Sequence, residues 1–420
     1  MLTSLRIKNF KSLRDVTLDL GNFNVFVGAN ASGKSNVFDA LRVLQGIGNG
    51  YSFSEILNGK PRGATNEQWA GIRGGNGQAL FNNGNEDTIG IEVESRFKRH
   101  IRRINKPSIE KMENVSYLIE FLPDICKLRN ESLFFERTDR IYDSRVKNDP
   151  RRNSNFRVRC FNGKPGKQPQ VNNDASSTVL SQLVARTRDW EQPARLAAYG
   201  RCRAFLQHLA DMQHLAPSPS VLAQYTQLPL VERMGEQGEN FAGLVKSICD
   251  NSEVKEAYLQ WLRHLRPDEV EDVGILGGAM SDVMFYIQEH GEKFPAPVLS
   301  DGTLKFAALA AAFFQPDMPG IITLEEPEDG IHPSRLRLLL ELLREQSART
   351  GTQVFITTHS PTLLDWLAPD DYQHTFFCKR DEDTKETAVR PISEIPRIDA
   401  ITKETPLGEL FTEGWLENAP

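Results

Sequence analysis

The chain has 420 residues, 39% hydrophobic and 25% charged, enough apolar content for a sizeable core and too balanced for a disordered chain. Its net charge of −6 by itself predicts no nucleic-acid partner. Cys126, Cys160, Cys202, Cys249 and Cys378 are scattered with no CxxC, which excludes a disulfide frame or a zinc site and suits a reducing, cytoplasmic setting. No leader-like apolar stretch follows Met1, and no apolar run reaches the roughly 18 residues that would span a bilayer.

In chain order, Leu5–Ile7, Val16–Leu20 and Phe23–Val27 read as strands. From Asn36 to Ile47, Val37, Ala40, Leu41 and Leu44 fall on one face of a helix. Residues 48–90 are rich in glycine and asparagine, including Gly74-Gly75 and Asn82-Asn83-Gly84, and predict a loop with short elements. Residues 91–170 predict short strands and turns, with loops or disorder at Pro150–Asn155 and Gly163–Asn173. Residues 176–215 read as helical up to Pro217 and Pro219. Residues 239–265 are helical again, and Val283–Ile287 is a strand. From Val298 the order is loop, helix, strand, loop, helix, strand, which predicts a parallel sheet covered by helices. No heptad pattern is sustained, so a long coiled coil is not expected.

Between Arg96 and Lys167 there are 19 Lys/Arg against 9 Asp/Glu, a local excess of +10 that leaves about −16 for the rest. Such a span is either a nucleic-acid or acidic-partner surface or a solvated insertion rich in ion pairs, and composition leaves both open.

The strongest motif is Gly28-Ala29-Asn30-Ala31-Ser32-Gly33-Lys34-Ser35, a full GxxxxGK[ST] placed after a strand and before a helix. Its glycines let backbone N–H groups curl toward phosphate oxygens, and the helix start adds its positive dipole end. Lys34 is expected on the β- and γ-phosphates and Ser35 on Mg²⁺. Ile321-Ile322-Thr323-Leu324-Glu325-Glu326 is a mostly apolar run ending in two carboxylates. It reads as a buried parallel strand with Glu325 as metal ligand and Glu326 as general base, or equally as a strand end with two solvated acids. Leu299-Ser300-Asp301-Gly302-Thr303 opens an apolar helix and is a second anion-binding terminus or a plain N-cap. Val354 to Ser360 reads as a buried strand delivering His359 to the same sheet edge, where a lone histidine is either functional or, as more often, structural or on the surface.

The order of these four motifs resembles that of ABC-type ATPases. The opening Ile7-Lys8-Asn9-Phe10-Lys11-Ser12-Leu13 with GANASGKSNVFDAL resembles the RecF/SMC branch, and LSDGT at 299–303, LEEPEDGIHP at 324–333, TTHSP at 357–361 and the Leu407–Gly414 tail resemble OLD-like predicted ATPases. The resemblance covers about residues 1–47 and 295–420; in the middle only Ile72-Arg73-Gly74-Gly75 and Asn240-Phe241-Ala242 echo it.

The resemblance implies an α/β fold: a P-loop NTPase of the ABC-type ATPase head kind, with an N-terminal antiparallel β lobe, a helical and basic insertion and no long coiled coil. Residues 1–95 would carry the P-loop part of the head. Residues 96–280 would form the insertion, β-rich and basic over 96–175 and helical over 176–270. Residues 281–420 would carry the remaining motifs. The substrate would be ATP with Mg²⁺. Gly28, Asn30, Gly33, Lys34, Ser35 and Asn36 would bind nucleotide, Ser35 and Glu325 the metal, and Lys11 would lie near the phosphates. Ser300 and Gly302 would touch the γ-phosphate held by the other subunit, Glu326 would be the catalytic glutamate, Gly330 and His332 would lie in the loop crossing a dimer interface, and His359 would sense the γ-phosphate. No Q-loop glutamine can be placed. The 61 residues after His359, with Asp381, Glu382 and Asp383, are too few for the Toprim nuclease of OLD proteins, and those acids read as a hairpin turn. The implied partners are a second copy in an ATP-dependent homodimer, with larger assemblies left open, and a separately encoded effector such as a nuclease. Two roles stand side by side: an ATP-gated switch acting on DNA in anti-phage defence or repair, and an ATP-bound scaffold for a protein partner with little turnover and no DNA contact.

Overall fold

The computed structural model describes residues 1–62, 66–81, 86–103, 106–136, 139–145, 154–160, 170–186, 193–227, 231–267 and 269–419. Two compact units are interleaved along the chain. One comprises Met1–Gly21, Ala29–Met212 and Cys378–Val389; the other comprises Asn22–Gly28, Gln213–Phe377 and Arg390–Pro420. They cut across the spans 1–95, 96–280 and 281–420 expected from sequence.

The first unit is built on a six-stranded antiparallel sheet. Its order is Leu13–Asp19, Leu2–Phe10, Ile89–Arg103, Lys106–Leu122, Lys127–Phe135, Asp139–Arg145. The expected short strands over 91–170 are therefore corrected: Ile89–Arg103 and Lys106–Leu122 run 15 and 17 residues. Apolar alternation holds the first half of one and the last half of the other in the core, through Ile89, Ile91, Val93 and Phe97 and through Val115, Tyr117, Ile119 and Phe121. Beyond it the two strands continue as a charged ribbon, carried by cross-strand ion pairs such as Lys98 with Glu110. A second hairpin pairs Asn155–Arg159 with Gln170–Asp174, so the end of the expected loop Gly163–Asn173 is a strand. Residues 161–169, 151–153 and Asn82-Asn83-Gly84 lie outside the described residues. The helix after the P-loop spans Lys34–Gly48 and buries Val37, Ala40, Leu41 and Leu44, as its periodicity requires.

In the second unit, Ile321–Glu325, Gln353–Thr358, Phe23–Val27 and the start of Thr375–Arg380 pair in parallel in that order. Met212–Leu215, expected as the tail of a helix, is a strand beyond Ile321–Glu325. Four residues are too few to show either period, and the pairing of the sheet decides. The nearly unbroken apolar runs match strands covered on both faces. Helices Asp301–Ala311, Leu336–Thr350, Phe241–Cys249 and Ser252–Leu265 belong to this unit. Their apolar faces join one core with the sheet, including Val25, Val27, Ile322, Ile356, Phe285, Phe306 and Leu339. An antiparallel sheet of Val270–Gly277, Asp282–Glu289 and Glu292–Pro295 completes it.

No helix among the described residues is long and apolar enough to cross a membrane. All five cysteines are free thiols.

Candidate functional site

Strand register places one set of sequence-selected residues together. Val27 stands opposite Thr358, and Thr357 opposite Glu325, so Gly28, Glu325 and His359 leave the same carboxyl edge of three adjacent parallel strands. Ligands of open parallel sheets bind at that edge. The side chains of Val25, Val27, Ile322, Leu324 and Ile356 anchor the strands, leaving the polar termini outward.

Glu326 follows the strand at φ 45, a conformation that costs a non-glycine residue about 1–2 kcal/mol. Contacts to its own N–H and carbonyl hold it there. Its N–H donates to the carbonyl of Thr357 at 3.1 Å, and its own carbonyl accepts from Asp329 N–H at 3.1 Å and from Lys305 Nζ at 3.0 Å. Lys305 is buried, and that burial lowers its pKa against the opposing pull of Asp329, Glu328 and Glu326. Glu326 Oε1 lies 3.1 Å from His359 Nδ1, within ion-pair reach. Glu326, Asp329 and His359 together offer three ligand atoms within 4.8 Å of one another, so this trio could also take a cation. Behind them Glu328 is buried and its carboxyl is pushed up by desolvation; it accepts the hydroxyl of Thr358, which in turn accepts Ser360 N–H at 3.0 Å. That bracket fixes the backbone on both sides of His359.

Ser300 caps the helix Asp301–Ala311, its Oγ accepting Thr303 N–H at 3.2 Å. Gly302 lies so close to the loop after Glu326 that a Cβ there would stand 2.5 Å from the Gly330 carbonyl. His332 caps the next turn, accepting Ser334 N–H at 3.3 Å.

The first unit holds the remainder of the P-loop. Gly33, at φ 99, caps the helix Lys34–Gly48, and a Cβ on it would meet Thr387 Oγ1 at 2.3 Å. Lys34 is buried with Nζ donating to the Ala29 carbonyl at 3.0 Å, while Ala29, Asn30 and Ala31 are exposed. Asn36 Nδ2 donates to Ser12 Oγ at 2.6 Å. Lys11 pairs with the buried carboxylate of Asp39 and donates to the Arg73 carbonyl at 2.8 Å. Arg73 also reaches Asp39, and its guanidinium donates to the Ser35 carbonyl at 2.6 Å. Ser32 Oγ is buried with no hydrogen-bond partner among the described residues. A glycine with no room for Cβ, an unsatisfied buried hydroxyl and a basic cluster tied to the helix start fit a triphosphate with its magnesium.

The roles of Asp39, Lys305, Glu328 and Thr387 were not legible in sequence; Arg73 was visible only within the Ile72–Gly75 mark. Four of the 19 basic residues of the span are engaged in local ion pairs among the described residues. Lys98 pairs with Glu110, Arg99 and Lys111 with Glu113, and Arg140 with Asp143, while Arg157 and Arg159 are exposed.

A family model described as "AAA domain, putative AbiEii toxin, Type IV TA system" matches residues 23–365. The chain is 24% identical over 402 residues to an ATP/GTP phosphatase of Helicobacter pylori, covering 91% of this chain and 93% of that protein. Over 123 residues it is 31% identical to the DNA replication and repair protein RecF of Glaesserella parasuis, covering 28% of this chain and 30% of that one. Among solved structures, the SmcHead bound to the C-winged helix domain of ScpA aligns at a TM-score of 0.47 and 13% identity, over 94% of this chain and 99% of that one.

Proposed function

The chain belongs to this AAA-domain family, and from that premise we propose that it is an ATPase of the RecF/SMC-like class that binds and hydrolyses ATP as a nucleotide-gated homodimeric switch. The observation that carries the reading is the Glu326–His359 pair, 3.1 Å apart at the sheet edge where Gly28 opens the P-loop.

The roles follow from chemistry. Gly28, Asn30, Gly33, Lys34 and Asn36 form the phosphate loop, with backbone donors and the Lys34 ammonium as the anion-binding groups. Ser35 and Glu325 are the magnesium ligands; the ion, when bound, neutralises phosphate charge. Lys11 acts through Asp39 and Arg73 at the helix start. Glu326 accepts the proton of the attacking water, and His359, whose Nδ1 lies 3.1 Å from it without a hydrogen bond, senses the γ-phosphate. Ser300 and Gly302 present a helix start to the nucleotide of a second copy. Two-fold symmetry then makes two equivalent sites, and ATP favours the closed dimer by binding it more tightly than the open form.

The biological setting proposed is DNA-linked defence or repair in the cytoplasm with a separate effector; the RecF match and the exposed Arg157 and Arg159 support it. Local ion pairing of Lys98, Arg99, Lys111 and Arg140 supports the scaffold reading for that part of the span.

Calorimetric titration of ATP·Mg²⁺ tests the core of the proposal. Lys34→Ala should lose measurable binding. Glu326→Gln should bind normally and turn over at least about a hundredfold more slowly. Unchanged affinity in Lys34→Ala removes the P-loop assignment, and wild-type turnover in Glu326→Gln moves the base to another acid.

A further inference from the structure

Asp381 to Asp383 belong to no catalytic group. The Asp381 carboxylate accepts the N–H groups of Asp383 and Thr384 at 3.1 and 2.7 Å and the Thr384 hydroxyl at 2.8 Å, which closes a tight turn. The chain then returns along Thr387–Pro391. That return brings Thr387, 1% exposed, against the phosphate loop, more than 350 residues away in sequence.

Thr387 makes three polar contacts there. Its N–H donates to the Ser12 carbonyl at 2.7 Å. Its hydroxyl donates to the Ser32 carbonyl at 2.9 Å and lies 2.6 Å from Ser12 Oγ. Proton counting fixes the direction of the chain. A carbonyl can only accept, so the single Thr387 proton goes to Ser32. Ser12 must therefore donate to Thr387, and Ser12 Oγ accepts from Asn36 Nδ2 at 2.6 Å. The run is Asn36 to Ser12 to Thr387 to the Ser32 carbonyl, every bond in one sense. Ser12 and Ser32 are each 5% exposed, so water competes little for these groups.

The last bond orients a peptide. The Ser32–Gly33 peptide is trans, so the carbonyl of Ser32 and the N–H of Gly33 point in opposite directions. Holding the carbonyl on Thr387 turns the Gly33 N–H away from Thr387, the orientation a phosphate-binding loop requires. The absence of a Cβ on Gly33 is what lets Thr387 Oγ1 approach: a Cβ would lie 2.3 Å from it and 2.8 Å from Ser12 Oγ.

We infer that Thr387 is a positioning residue of the phosphate loop, whose hydroxyl fixes the Ser32–Gly33 peptide so that its N–H faces a nucleotide phosphate. The inference rests on the reading that this loop binds a nucleoside triphosphate. It touches no reacting atom. Its contribution is the same in ground and transition states, so it acts on KM and affinity and leaves kcat almost unchanged.

Thr387→Val keeps the shape and removes the donor. ADP·Mg²⁺ and ATP·Mg²⁺ affinity, measured by calorimetry, should fall about tenfold, the scale of one hydrogen bond to a charged group. KM should rise in step while kcat stays within about twofold. Thr387→Ser, which retains the hydroxyl, should restore both. Lys34→Ala is the reference. If it binds nucleotide as the wild type does, the loop is not a nucleotide site and the wider reading fails. If Lys34→Ala weakens binding while Thr387→Val binds normally, the loop reading stands and the role of Thr387 is overturned. A fall in kcat with unchanged KM would also overturn it. Should Thr387→Val fail to fold, Thr387→Cys takes its place, since a thiol is a much weaker donor of similar size. Wild-type affinity in Thr387→Cys contradicts the inference, and weakened affinity with Ser rescue supports it.

Discussion

Gly302→Ala is the sharpest perturbation of the candidate site, because it adds one methyl between two backbones. The new Cβ would stand 2.5 Å from the Gly330 carbonyl oxygen and 3.3 Å from the Ile331 Cα. Ordinary contact begins near 3.4 Å, so helix start and loop must separate by about 0.9 Å. Neither neighbour is a flexible side-chain end. Overpacking of this kind costs about 1–3 kcal/mol, and the better helix propensity of alanine returns about 1 kcal/mol. Overall stability should therefore fall by about 0–2 kcal/mol. Geometry should change more. The loop is tied to Glu326 through the Asp329 N–H, and Lys305 from the same helix holds the same carbonyl. A displacement near 1 Å at a catalytic group lowers turnover by up to about a hundredfold. Phosphate release should thus fall between about ten- and a hundredfold, with nucleotide affinity within about threefold of wild type. Thermal unfolding run in parallel checks that the fold is kept. Wild-type turnover in a normally folded Gly302→Ala protein would refute the coupling of helix start, loop and base.

Three further outcomes are expected. In a Glu326→Gln background, mass measurement should find a dimer with ATP and a monomer with ADP, and Ser300→Arg should abolish the dimer; one that persists in both would place subunit contact elsewhere. Burial lifts the Glu131 carboxyl from 4.5 to about 7, so the folded chain holds that proton more tightly than the unfolded chain. Stability linked to it is full below pH 4.5 and is lost as pH rises to about 7, a difference of about 3 kcal/mol that Glu131→Gln should remove; parallel pH slopes of the unfolding midpoint in both proteins would contradict this. Arg157→Glu should weaken DNA binding and flatten its salt dependence, whereas protein that shows no salt-dependent binding would leave the basic span as an ion-paired insertion.

Where the chain carries a single local period, sequence and structure agree. Val37 to Leu44 predicts a helical face, and the runs before Glu325 and His359 predict buried parallel strands; both form as described. The long ribbon past Phe97 is hard to read from sequence because charged residues such as Lys98, Arg99, Glu110 and Lys111 leave no hydrophobic period there. The helix Phe53–Asn58 carries a local signal of its own, Ser52 and Glu55 at capping-box spacing, with both reciprocal bonds formed. Within the candidate site, motif residues were visible because backbone chemistry fixes their spacing. Their supports were not. Asp39 looks like any helix acid, and Thr387 sits beside Ser32 only through tertiary folding.

Asp39 carries a consequence of its own. One buried carboxylate sits between two cations, Lys11 and Arg73, and the second is fastened to the Ser35 carbonyl. Both cations are thereby set beside the helix start. Lys11 and Asp39 are largely shielded from water, so their charges are screened weakly by salt, whereas Arg73 is half exposed. The contacts to Asp39 and to the Ser35 carbonyl hold these side chains in place before any anion arrives. Attraction for phosphate therefore needs little reorganisation of the protein, and association should stay fast at ionic strengths that would silence a cluster of freely moving surface lysines.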